Sequence, residues 1–206
     1  MADQEEPQLY LVTPPSLDLG SFPDLLGRVI DAHEVACLRL ALATRDEDTI
    51  MRAADALREV AHARDVAFVI DTHVVLAERL GLDGVHLTDG ARSVRSARKT
   101  LGADAIVGAF CGGSRHDGMN AGEAGADYVS FGPVTAGTLG DGSVADNEVF
   151  AWWSQMIELP VVAEGGLTEE RVRALAPLTD FFAVGEEIWS QPDPVLALST
   201  LRDAMR

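Results

Sequence analysis

Basic side chains are scarce in this chain. Sixteen Lys and Arg stand against 33 Asp and Glu, a formal net charge of −17 over 206 residues. A surface this acidic repels nucleic acid and anionic membranes, so neither is expected as a partner; its simplest role is solubility. From Ala126 to Asn147 there is no Lys, Arg or His at all. Cysteine is nearly absent too. Cys37 and Cys111 make neither a metal-ligand spacing nor a disulfide framework, which reads as a reduced, cytoplasmic protein. No apolar run reaches the roughly 18 residues of a membrane span. The opening "MADQEEPQ" lacks the basic and apolar regions of a secretory signal. What the chain does have is 47% hydrophobic residues, enough for a large core in one domain, 1–206.

Short apolar runs alternate with helical patterns. "QLYLVT" (8–13), "VACLRLAL" (35–42), "VAFVID" (66–71), "DGVHL" (83–87), "DAIVGAF" (104–110), "ADYVSFG" (126–132), "LPVVAEGG" (159–166) and "DFFAVG" (180–185) read as strands. They are dense in Val, Ile and Leu and scarcely alternate, as strands buried on both faces do in a parallel sheet. Helices are expected from "DLLGRVIDAH", behind a Thr44–Glu47 capping box, from His73 to Leu80, near 92–101, 114–124 and 146–157, behind an N-cap at Thr168, and in terminal segments to 205. Eight strand–helix units in this length predict a compact (β/α)8 barrel; a doubly wound open sheet is the alternative.

In such a barrel the working face lies at the C-terminal ends of the strands. Arg39 ends the second strand. If Cys37, Arg39 and Ala41 share the inward face, its guanidinium enters the mouth, either to grip a phosphate or to form a structural ion pair with Asp71 or Glu34. Gly165, Gly166, Gly185 and Glu186 follow the last two strands. Their main-chain N–H groups can hold a phosphate, or the glycines can simply make tight turns. The carboxylates of Glu164, Glu186 and Glu187 oppose an anion there. Asp71 and Asp89 follow neighbouring strands and offer oxygen ligands for Mg²⁺, or form a solvated acidic rim. His86 lies inside an apolar strand, as a core residue or a ligand, and His116 falls on a solvated helix. Cys111 has no visible base partner. Thr135 and Thr138 stand in "GPVTAGTLGDGS", a glycine loop without a cation.

The segments "LYLVT", "ERLGLDGVHL", "GADYVSFGPV", "LPVVAEGGLT" and "FFAVGEEI" resemble, in order and spacing, the thiamine phosphate synthase superfamily, which includes the thiazole tautomerases. The resemblance runs from about 8 to 190. It implies a (β/α)8 barrel that joins hydroxymethylpyrimidine pyrophosphate to a thiazole phosphate and releases pyrophosphate. In the family, Mg²⁺ and basic side chains hold the pyrophosphate. Backbone amides after strands seven and eight hold the thiazole phosphate.

Position by position, the chain departs from that pattern. The family's Gln, Arg and Lys of strand two read Cys37, Arg39 and Ala41. Its Asn-Asp after strand three reads Asp71-Thr72. After strand four, "HLTDGA" keeps His86 and Leu87, puts Asp89 in place of Gln, and has Ala91 at the second metal ligand. The fifth strand ends in Phe110 instead of a small hydroxyl residue. The lid loop keeps Thr135 and Thr138 without its lysine. A tautomerase histidine would fall near Gly112, and His116 is four residues later. The expectation is a divergent member with altered or no transferase activity, without the family's Mg²⁺ ligands. Alternatives are a non-catalytic barrel that binds or senses a phosphorylated small molecule, and a barrel acting through homo-oligomer contacts.

Overall fold

The structure, a computed structural model, describes residues 6–136 and 143–206. Eight parallel strands close on themselves in sequence order: β1 (Gln8–Val12), β2 (Val35–Leu40), β3 (Ala67–Asp71), β4 (Gly84–Leu87), β5 (Ile106–Phe110), β6 (Tyr128–Phe131), β7 (Val161–Glu164) and β8 (Phe181–Val184), with β8 pairing back to β1. The protein is a single-domain (β/α)8 barrel. Helices α1 (Phe22–Ala32), α2 (Glu47–His62), α3 (Val74–Leu80), α4 (Val94–Leu101), α5 (Arg115–Ala124), α6 (Asn147–Met156) and α7 (Glu169–Leu175) follow strands one to seven. Helices α8 (Glu186–Trp189) and α9 (Pro194–Ala204) follow the eighth.

Closure explains why the strand sequences barely alternate. One set of side chains fills the barrel interior: Tyr10, Cys37, Val69, Tyr128, Val162 and Ala183. The other set, including Leu9, Leu38, Phe68, Val129 and Phe182, packs outward against the helices. Both faces therefore demand apolar residues.

The N-terminal rim carries a repeated device. Asp83, Asp127 and Asp180 each stand next to the start of an even strand. Each accepts a hydrogen bond from the first N–H region of the strand before it: Phe68 N at 2.7 Å, Val107 N at 2.7 Å and Val161 N at 2.8 Å. These satisfy backbone donors where the ladder begins and leave the opposite rim for other chemistry.

Helix starts follow local chemistry. Thr168 caps α7 by accepting from Arg171 N at 3.2 Å, as its sequence context predicts. The Thr44–Glu47 box does not form. Asp46 caps α2 instead, accepting from Thr49 N at 3.0 Å, while the Thr44 hydroxyl accepts from Asp46 N at 3.1 Å. An aspartate directly before the helix competes successfully with a threonine two residues earlier.

Candidate functional site

Arg39 is the only Lys or Arg on the eight strands among the described residues. Its parity with Cys37, an interior residue, turns it into the barrel mouth. There Nη1 donates to Glu164 Oε2 at 2.9 Å, and Nε stands 3.5 Å from Asp71 Oδ1. The guanidinium also lies 5.7 Å from the centre of the Tyr10 ring. Arg39 is 8% exposed. Burial alone lowers its pKa, but Glu164 above all, then Tyr10 and Asp71, raise it further, so it stays charged. Of the two partners offered by the sequence, Asp71 is present; Glu34 is not, since it lies before β2 and gives its carbonyl to Arg202. The strongest partner, Glu164, was expected to crowd the phosphate loops instead. Alternation along β7 could have found it: Val162 and Glu164 share a face, and Val162 is interior.

Beneath Arg39 runs a buried polar chain. His86 Nδ1 lies 2.9 Å from the Tyr128 hydroxyl, which lies 2.7 Å from the Tyr10 hydroxyl. His86 stacks on Tyr128 with ring centres 5.8 Å apart. Burial first, and Arg39 second, push the imidazole well below its usual pKa, so it is neutral. His86 is thus a core residue with a satisfied partner.

Asp71 is raised to about 6, by burial first and by Glu164, with Arg39 opposing. The next residue, Thr72, holds φ at +56°, an uncommon conformation for a β-branched side chain, and its N–H donates to the His86 carbonyl at 2.9 Å. Asp89 is exposed on the rim and accepts from Ser93 Oγ at 2.6 Å. It lines a cleft of about 560 Å³ with Arg92, Phe110 and Cys111, not the Arg39 cluster. For the Mg²⁺ that the resemblance implies, the donor set does not fit. Asp71 is engaged with Arg39, Ala91 has no side-chain oxygen, and no group of three His, Cys, Asp or Glu able to hold a metal comes together among the described residues.

The Asp71 shift has a measurable consequence. Its folded pKa exceeds the usual value of 3.8, so the stability it contributes is complete below about pH 4 and lost as pH rises through 6. The full shift corresponds to about 3 kcal/mol. His86 works oppositely: its contribution is present above about pH 6.5 and lost as pH falls. Urea unfolding of wild type and Asp71→Asn separates the two. Between pH 4 and 7 the wild type should lose about 2–3 kcal/mol relative to the variant. A pH-independent difference would count against a buried, proton-retaining Asp71.

Gly165 and Gly166 follow β7 at φ of +81° and +74°, which L side chains rarely adopt. The turn they make brings Gly166 N and Leu167 N to Glu187 Oε1, both at 3.1 Å, while Gly185 N reaches Glu187 Oε2 at 2.9 Å. The Glu186 side chain, the sequence's candidate at this place, is exposed. Thr135 is beside Gly166; its Oγ1 is buried and has no partner, as is Ser130 Oγ on β6. Thr138 lies outside the described residues. Cys111 ends up buried with its thiol pushed up to about 12 by burial, so it stays protonated and is no nucleophile near neutral pH. His116 is exposed on the first turn of α5.

The tyrosines and Ser130 escaped the sequence reading, and Glu187 was read only as a charge opposing an anion, not as the acceptor of these amides. The tyrosine and serine positions follow from strand parity once the interior face is known. Glu187 sits in a four-residue helix, too short to show a period.

The sequence matches the family described as thiamine monophosphate synthase over residues 9–188. It is 43% identical over 202 residues to the thiamine-phosphate synthase of Rhodospirillum centenum, covering 97% of this chain and 98% of that one. It is 41% identical over 198 residues to the thiamine-phosphate synthase of Erythrobacter litoralis, covering 92% of each. Among solved structures, thiamine phosphate pyrophosphorylase from Pyrococcus furiosus superposes with a TM-score of 0.81 at 23% identity, over 96% of this chain and 95% of that one, a likeness of fold. With the family match spanning nearly the whole barrel, the chain belongs to the thiamine monophosphate synthase family.

Proposed function

We propose that this chain is a divergent thiamine phosphate synthase-like barrel in which the pyrophosphate-releasing transfer is altered or lost. The observation that carries this reading is the engagement of Arg39 with Glu164 and Asp71. A departing pyrophosphate bears several negative charges and is stabilised by cations or a metal. Each hydrogen bond to a charged group is worth about 1.5–3 kcal/mol. Here the one strand-borne cation is already bonded to a carboxylate, and the chain's single lysine, Lys99, is exposed on α4. Losing one electrostatic stabiliser commonly lowers a rate by about 10²–10³.

A second reading has its own support: an active thiamine phosphate synthase, favoured by 43% identity along almost the full length of a protein of that name. Arg45 and Arg92, exposed in the loops after β2 and β4 and paired with nothing among the described residues, are the rim cations it would recruit. The assay is thiamine phosphate formation from hydroxymethylpyrimidine pyrophosphate, thiazole phosphate and Mg²⁺. Typical enzymes turn over at about 1–10³ per second. The divergent reading expects a rate at least about 100-fold below that range. Turnover within it would establish the second reading. Absence of turnover with a thermal shift on thiazole phosphate would favour a non-catalytic barrel for a phosphorylated small molecule.

A further inference from the structure

We propose that Glu187 is a specificity-determining residue. Its carboxylate occupies the anion position between the β7 and β8 loops, so the mouth takes an uncharged or cationic small molecule there and not a phosphate ester. This deepens the divergent reading above and rests on it.

Three main-chain N–H groups from two separate loops converge on one carboxylate. Gly166 N and Leu167 N meet one oxygen at 3.1 Å each, and Gly185 N meets the other at 2.9 Å. Convergent backbone donors of this kind form an anion-binding concavity. In this chain the anion is supplied from within, two residues beyond Gly185. An incoming phosphate must displace that carboxylate or sit beside it, against like charge.

The rest of the mouth points the same way. Glu164 and Asp71 flank Arg39, so two acidic groups surround the one strand-borne cation. Two uncharged groups there have no partner: Ser130 Oγ, on a side chain with no exposure, and Thr135 Oγ1, beside the glycine turn; Arg39 Nε and Asp71 Oδ1 face each other at 3.5 Å as an ion pair without a hydrogen bond. Buried hydroxyls without partners fit a ligand that brings neutral hydrogen-bonding groups.

The test is titration of the intact protein with inorganic phosphate, followed by the amide NMR signals of Gly166, Leu167 and Gly185. Wild type should show no saturable shift of these signals up to about 10 mM phosphate. Glu187→Ser should bind phosphate at least about tenfold more tightly, with shifts centred on the same three amides. Glu186→Gln removes an equal charge one residue away, on an exposed side chain, and should behave as wild type. If Glu187→Ser does not fold, Glu187→Gln decides: it keeps the size and an acceptor oxygen, loses the charge, and should also gain binding. Phosphate binding by wild type as tight as by the Glu187 variants, or an equal gain in Glu186→Gln, would overturn the proposal. The two failures are distinguishable. Rapid thiamine phosphate formation, which needs a phosphate ester in the mouth, would remove the divergent reading and the Glu187 assignment with it. Phosphate binding by wild type at the cradle without turnover would remove the Glu187 assignment alone.

Discussion

Arg39→Met should destabilise the protein by about 3–5 kcal/mol near neutral pH. Removing one partner of a buried ion pair leaves the other charge without compensation, and here two carboxylates depend on the same guanidinium. The side chains of Arg39 and Glu164 are 10% and 15% exposed, so solvent screens them little. Methionine retains much of the arginine stem's volume, which keeps the loss electrostatic and not a cavity effect. The double variant Arg39→Met with Glu164→Gln should recover more than half of the loss, because the strongest unpaired charge has gone. Urea unfolding of wild type, both single variants and the double variant gives the coupling directly. The cost should shrink toward pH 5, where Asp71, already raised to about 6, is protonated. A single-variant loss below about 1 kcal/mol would place the pair with exposed ion pairs, which contribute little. That outcome would also leave Arg39 free to serve a ligand.

The same cluster shows where sequence reasoning reaches and where it stops. The eight strands were legible because a closed barrel buries both faces of each one. A run such as "VVAE" therefore has no polar interruption until the rim. The inward direction of Arg39 followed from its two-residue spacing to Cys37. Its main partner did not follow, because Glu164 lies 125 residues away and meets it only once the barrel has closed. Local capping chemistry was legible at Thr168 and misassigned at Thr44, where Asp46, the stronger cap former, stands two residues later. The glycine-marked loops after β7 and β8 were visible as places of close backbone approach. Which of two adjacent glutamates turns inward was not, since one helical turn gives no periodicity. Residues distant in sequence but adjacent in the barrel carry most of what the site adds.

The barrel interior should be as intolerant as its mouth: Gly108→Ala should cost about 3 kcal/mol, at the upper end for added volume in a packed core. Glycine inside a strand is unfavourable by about 0.5–1 kcal/mol relative to alanine, so its presence in "IVGAF" calls for a reason. The reason is Tyr128, whose ring lies across Gly108 so closely that a methyl group there would overlap Tyr128 Cζ and Oη. The ring cannot swing aside cheaply. Its hydroxyl is held by Tyr10 at 2.7 Å and approached by His86 at 2.9 Å, and His86 stacks against its face. Moving it strands buried polar groups, each of which costs about 1–3 kcal/mol when left unpaired. Gly113→Ala is the control, because the nearest atoms to an added methyl lie at 3.5 Å, an ordinary contact. Chemical denaturation should place Gly108→Ala well below wild type and Gly113→Ala close to it. Equal stabilities for the two variants would mean that Tyr128 repacks freely. The polar chain from His86 through Tyr128 to Tyr10 would then not be what fixes the floor under Arg39.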